Sequence, residues 1–93
     1  MDEGLLKLAA KAMGAHIWWD GKWCHVETKY DTISSDWNPI ESNADAFVLG
    51  VKSGVFCYPG FDSKLFIALR SKNQLAATRL AIFNAAVEIG RCM

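Results

Sequence analysis

The sequence predicts an α+β domain, an α/β sandwich in which helices pack on the faces of a mainly antiparallel four-stranded sheet. Three observations lead to this fold class. The apolar patterns along the chain follow the order helix, hairpin, helix, hairpin, helix. The chain has 93 residues, which suits a single domain over residues 1–93. Its 52% hydrophobic and 22% charged content is typical of a globular protein.

The first helix is predicted over residues 5–13. Apolar side chains recur there at helical spacing and Gly14 follows as a natural end of the helix. Asp2 and Glu3 precede it, where negative charge favours the amino terminus of a helix.

The stretch WWDGKW, residues 18–23, predicts a hairpin. Asp20-Gly21 is a strong signal for a two-residue type I′ turn between strands 15–19 and 22–27. The resulting register would place Trp18 opposite Trp23 and His16 opposite His25. These four side chains would share one face, and the other face would carry Ala15, Ile17, Trp19, Cys24 and Val26.

Residues 28–42 are polar and read as a connection with a short edge strand around residues 30–33. Trp37 and Ile40 are expected to hold this connection against the body of the protein. Ser42-Asn43-Ala44-Asp45 resembles a capping box with Asp in place of Glu. It predicts a second helix that runs to about Ser53 and ends at Gly54.

A second hairpin is predicted from two β-rich runs, residues 55–58 and 65–70, which are joined by a loop over residues 59–64. The segment Leu65-Phe66-Ile67-Ala68-Leu69 contains no polar residue. A strand of this kind is expected to be buried on both faces.

The longest helix is predicted from Leu75 to about Ile89, after an N-cap signal in residues 71–74. Its reverse side is small rather than strongly charged and could accept an intramolecular or a dimer contact. It carries Ala77, Thr78, Ala81, Asn84, Ala85 and Glu88. The pattern leaves open whether the protein is a monomer or a homodimer.

The two histidines are the most site-like feature, since the predicted register makes His16 and His25 direct cross-strand neighbours. Both imidazoles could then touch one metal ion, but a catalytic zinc site normally needs three protein ligands. Cys24 points to the opposite face, so we favour histidines that hydrogen-bond to backbone or water. No nucleophile motif or phosphate-binding loop is present. The sequence therefore predicts no metal, no cofactor and no enzymatic activity.

The charges are distributed unevenly. Residues 1–45 hold four Lys against eight Asp or Glu, a balance of −4, whereas residues 46–93 hold six Lys or Arg against two acids, a balance of +4. A cluster in the second half, Lys64, Arg70, Lys72 and Arg79, is either a solvated face or a rim that steers acidic protein surfaces. Nucleic-acid binding is disfavoured because a pI near 6.7 lacks a broad basic footprint.

Four segments together resemble the phage ABA-sandwich domain family of small phage and prophage proteins. They are LLKLAAKAMG, WWDGKW, WNPIESNADAFVLGVKSG and ATRLAIFNAAVEIG. The resemblance implies an α/β sandwich of bacteriophage or prophage origin, without an established activity. We expect an accessory protein in the host cytoplasm, with no membrane segment, that binds a host protein and possesses no catalytic role. Inhibition of a host defence or regulatory system would fit this setting.

The partner-binding residues predicted from the sequence are His16, Trp18, Trp23, His25, Arg70, Lys72 and Arg79. The alternative function is single-stranded nucleic-acid binding by stacking on Trp18 and Trp23. For these two indoles we favour a position in the core, where truncation to Ala would cost roughly 3–5 kcal/mol. If their face is open instead, truncation would spare the fold and abolish binding.

Overall fold

Helices dominate the protein. The computed structural model describes residues 3–28, 32–34 and 36–93, and within them it contains four α-helices and a three-stranded antiparallel sheet. The elements in chain order are α1 (Glu3–Ala12), β1 (His16–Asp20), β2 (Trp23–Glu27), β3 (Thr32–Ser34), α2 (Asn43–Ser53), a 3₁₀ helix (Val55–Cys57), α3 (Phe61–Leu69) and α4 (Gln74–Arg91).

Helix α4 is the centre of the helical layer, since it contacts α1, α2 and α3. Its buried side chains recur at helical spacing and include Ile82, Phe83, Ala86 and Val87. They share one apolar core with Leu6 of α1, Leu49 of α2 and Val26 of the sheet, among other residues. Burial of such a stripe supplies most of the stability of a short helix in water.

Helices α1 and α4 come into close backbone contact at Gly90. A Cβ atom placed on Gly90 would overlap the backbone carbonyl group of Leu8. Only a residue without a side chain allows this backbone contact. The Leu8–Gly90 contact therefore sets the distance between the two helices.

Gly90→Ala is expected to lower the free energy of unfolding by roughly 1–3 kcal/mol, the usual cost of overpacking a core. Without a clash, Ala would instead stabilise a helix interior by up to ~1 kcal/mol. Gly50→Ala is the matched control, because a Cβ there would meet the ring of Phe56, a side chain that is 46% exposed and able to rotate away. Urea unfolding measures the stability of both variants, and Gly90→Ala should be the less stable of the two. A Gly90→Ala protein that is more stable than the unmodified protein would contradict the prediction.

The connection before α2 is held by side-chain hydrogen bonds. The Oγ of Ser42 accepts from the Asp45 N–H at 3.2 Å, which caps the helix as predicted. Asp45 Oδ2 accepts from the Asn38 N–H at 2.9 Å instead of completing a capping box. Trp37 is buried and its backbone N–H donates to the Cys24 carbonyl at 2.7 Å, so the predicted anchoring of this segment is confirmed.

The predicted bounds of three helices agree with the structure to within about two residues. Helix α2 ends at Ser53, with Gly54 in the left-handed conformation as its C-cap. The side chain of Asn73 caps α4 by accepting from the Ala76 N–H. The predicted edge strand is β3, which starts at Thr32; Tyr30 and Asp31 lie outside the described residues.

The first hairpin is present, but its predicted register was wrong. The observed pairs are His16 with Glu27, Ile17 with Val26, Trp18 with His25, Trp19 with Cys24 and Asp20 with Trp23. The two turn residues are thus Gly21 and Lys22. Positive φ occurs at Gly21 and not at Lys22, which is the type II′ pattern. A type I′ turn at Asp20-Gly21 would have required positive φ at Asp20 as well.

The prediction of a second hairpin, and with it of a mainly four-stranded sheet, was wrong. Residues 55–57 form a 3₁₀ helix and residues 61–69 form α3. Phe61, Leu65 and Ala68 recur at helical spacing and pack toward α4 and the core. An unbroken apolar run fits a buried strand or a helix equally well, and packing against α4 decided for the helix.

Candidate functional site

The two faces of the hairpin have different environments. On the inner face, Cys24 and Val26 are buried and Ile17 packs against the core. The outer face carries His16, Trp18, Asp20, Trp23, His25 and Glu27. The assignment of Trp18, Trp23 and both histidines to one face was therefore right. Each residue of β1 pairs two positions further along β2 than predicted, and a shift of two positions leaves every side chain on its predicted face.

The outer face is open, contrary to the expectation that its indoles lie in the core. Trp18 is 42% exposed and Trp23 is 48% exposed. On the inner face Trp19 is also 42% exposed, although its cross-strand neighbour Cys24 is buried. In the described part of the chain, the helices pack against the inner face of the sheet. Because Trp18 and Trp23 are exposed, the cost of truncating a core residue does not apply to them.

Three short-range contacts order the outer face. The rings of Trp18 and His25 stack with centroids 4.1 Å apart and 10° between their planes. His16 Nε2 lies 3.3 Å from Glu27 Oε1, a charged pair only when the imidazole is protonated. The ammonium group of Lys22 lies 5.5 Å from the centre of the Trp23 ring. Each contact limits the rotamers of an exposed aromatic side chain and so lowers the entropy lost on binding.

The histidines are not cross-strand neighbours, because His16 faces Glu27 and His25 faces Trp18. Their predicted juxtaposition is therefore wrong. Within the described residues there is no group of three His, Cys, Asp or Glu placed to hold a metal ion. His25 Nε2 is covered and has no hydrogen-bond partner in the described part of the chain. The stack with Trp18 is the contact that accounts for its position.

The three cysteines differ sharply in environment. Cys24 is buried on the inner face of the sheet, whereas Cys57 and Cys92 are exposed and all three are free thiols. Burial raises the pKa of the Cys24 thiol, and the negative charges of Asp36, Glu3 and Asp45 add to the increase. Cys24 therefore behaves as a small apolar side chain and not as a nucleophile.

Alkylation of the folded protein with iodoacetamide at pH 8 should modify Cys57 and Cys92 first, with Cys24 at least about tenfold slower, because the thiolate is the reactive form and the reagent must reach it. Peptide mass spectrometry over time measures the three rates, and the unfolded chain in urea is the control in which they should converge. Equal rates in the folded protein would contradict the buried position.

Because the raised pKa of Cys24 belongs to the folded state, the free energy of unfolding should fall as the pH rises above about 8.5, where the thiol of the unfolded chain ionises.

The predicted basic rim is divided. Arg70 and Lys72 are exposed near the end of α3. Arg79 instead donates from Nε to the Ile40 carbonyl at 2.7 Å and from Nη1 to Asn43 Oδ1 at 2.6 Å. These bonds tie α4 to the connection before α2 and to the first residue of α2, so Arg79 holds the fold together and is not a free member of the rim.

Sequence reasoning missed an exposed apolar surface on α3 and α4. Phe66, Ile67 and Leu69 of α3 are 60%, 70% and 49% exposed, and Leu80 of α4 is 46% exposed. A shallow groove of about 430 Å³ lies between the two helices and is lined by Lys64, Ile67, Leu80 and the small side chains predicted to accept a second surface, including Ala77, Ala81 and Asn84. Helical periodicity in residues 61–68 was the signal that could have revealed it.

Comparison of the chain with protein-family models, with curated proteins and with solved structures gave no match. The resemblance to the phage ABA-sandwich family therefore remains a prediction. In the described residues, no helix combines the length and the apolar character needed to cross a membrane. The fold and the exposed face together define a small α+β domain that presents an aromatic hairpin.

Proposed function

We propose that this protein is a non-enzymatic protein-binding module whose partner docks on the outer face of the hairpin. The observation that carries the proposal is the exposure of Trp18 and Trp23 on one face, 42% and 48%, beside ordered polar groups. Trp is enriched among the residues that dominate binding energy, because it buries a large area with few rotatable bonds.

The chemistry of the face favours a partner that offers Arg or Lys side chains. Indole faces attract cations, and Asp20 lies directly across from Trp23. Glu27 adds a second carboxylate at the other end of the face. The two halves of the chain carry balances of −4 and +4 and the hairpin belongs to the acidic half, so this charge separation orients a basic protein surface toward the hairpin.

The biological setting of this proposal rests on the sequence resemblance. A phage or prophage origin would make the partner a host protein in the bacterial cytoplasm, and blocking a host defence or regulatory protein would be the outcome of binding. The open aromatic face supports binding to a protein and is neutral on the identity of the host.

Single-stranded nucleic acid is the second candidate, since exposed indoles also stack on bases. The exposure of Trp18 and Trp23 favours it. Asp20 and Glu27 on the same face oppose it, because carboxylates repel phosphates and Lys22 is the one basic residue of the described hairpin. Protein binding is therefore the better-supported function.

Tryptophan fluorescence separates the two candidates. At low salt, an oligoarginine peptide should change the emission of the protein, whereas an oligoglutamate peptide and an oligothymidine strand should not. Trp18→Ala or Trp23→Ala should weaken the peptide response by roughly tenfold in apparent Kd, as expected for loss of a central aromatic contact. Trp19→Ala is the matched control, because Trp19 is equally exposed on the opposite face.

The same variants should remain folded, with a loss of stability well below the roughly 3–5 kcal/mol of a buried Trp. Circular dichroism and urea unfolding establish this before binding is compared. Quenching by the oligonucleotide that fades with added salt would favour the nucleic-acid function. A response that Trp19→Ala abolishes and Trp18→Ala spares would place the binding surface elsewhere.

A further inference from the structure

We propose that two copies of this protein associate through α3, in an antiparallel helix pair with Phe66 at the two-fold axis. This interface lies on the helical layer and is separate from the outer face of the hairpin. A second copy is proposed as the partner because α3 has an exposed apolar surface and because opposite charges lie at the two ends of that surface.

The exposed apolar side chains of α3 are clustered and are not scattered singly over the surface. Phe66, Ile67 and Leu69 lie within four successive positions and are each about half exposed or more, while Leu80 extends the surface onto α4. Contiguous apolar surface of this kind marks interaction sites in soluble proteins. The small side chains of Ala77 and Ala81 in the neighbouring groove leave room for side chains of a second helix.

Opposite charges stand at the two ends of this surface. Asp62 precedes Phe66 by four residues and Arg70 follows it by four, so the three side chains form one row along the helix. The guanidinium carbon of Arg70 lies 5.3 Å from the centre of the Phe66 ring, and Asp62 lines the same shallow surface as Phe66. In the described part of the chain, neither Asp62 nor Arg70 forms an ion pair.

A two-fold axis at Phe66 gives each of these charges a partner. Asp62 and Arg70 are about 12 Å apart along the helix, at 1.5 Å per residue. An antiparallel pair brings the Asp62 level of each copy to the Arg70 level of the other. In the commonest helix packing, rows of residues spaced by four on each helix interdigitate. In the antiparallel pair, the row of Asp62, Phe66 and Arg70 in one copy then lies beside the same row of the other copy and runs in the opposite direction. A closed dimer of this kind uses the same patch twice and leaves no open end.

Charge exchange tests the proposed pairing. Asp62→Arg and Arg70→Asp should each raise the dimer dissociation constant by about tenfold, because each variant places like charges opposite one another twice. The double variant D62R/R70D restores opposite charges and should return the constant to near that of the unmodified protein. Sedimentation equilibrium over a range of protein concentrations measures the constants.

A matched pair of aromatic truncations tests the surface. Phe66→Ala should raise the dissociation constant by about tenfold or more. Phe47→Ala should leave it unchanged, because Phe47 is equally exposed, 63% against 60%, but lies on α2. A monomer at all concentrations would overturn the proposal. So would a dimer that Phe47→Ala disrupts and Phe66→Ala spares, or a double charge variant that fails to recover while it remains folded by circular dichroism.

Discussion

The backbone of α4 at Gly90 lies directly against the Leu8 carbonyl group of α1, and much of the structure depends on this contact. It fixes α1 on the central helix, and α1 leads through Gly14 into β1. Since Leu6, Cys24 and Val26 share one core, the position of α1 also determines which face of the sheet is covered. Among the described residues no helix covers Trp18 or Trp23, so the outer face of the hairpin is open.

The two exposed surfaces differ in chemistry. The outer face of the hairpin combines indole rings with Asp20 and Glu27, which suits a cationic partner. The α3 surface is apolar, with Asp62 and Arg70 at its ends and Lys64 beside the groove, and the opposite charges at the two ends suit a second copy in the opposite direction. A dimer formed through α3 would carry two hairpin faces, and binding of a multivalent partner would then gain from avidity.

Local signals were reliable where they acted within one element. Ser42 and Asn73 cap their helices by the side-chain hydrogen bonds that their positions predict, and Gly54 ends α2. The alternation of side chains placed Trp18, Trp23 and both histidines on one face of the hairpin. The turn failed as a guide to register, because Asp-Gly can occupy either the I′ pattern or, one residue later, a II′ pattern with Gly first.

Taken alone, the sequence determined where α1, α2 and α4 lie and which hairpin residues share a face, because capping and periodicity are properties of short segments. Only the tertiary structure decided that residues 61–69 form a helix and that Trp18 and Trp23 are open to solvent. The apolar run within residues 61–69 is compatible with a buried strand or with a helix. Burial of Phe61 and Ala68 against the helical layer selects the helix. The polar residues of the outer face, such as Asp20 and Glu27, favour exposure, whereas the two indoles on the same face favour burial, so the strand pattern alone did not decide between them.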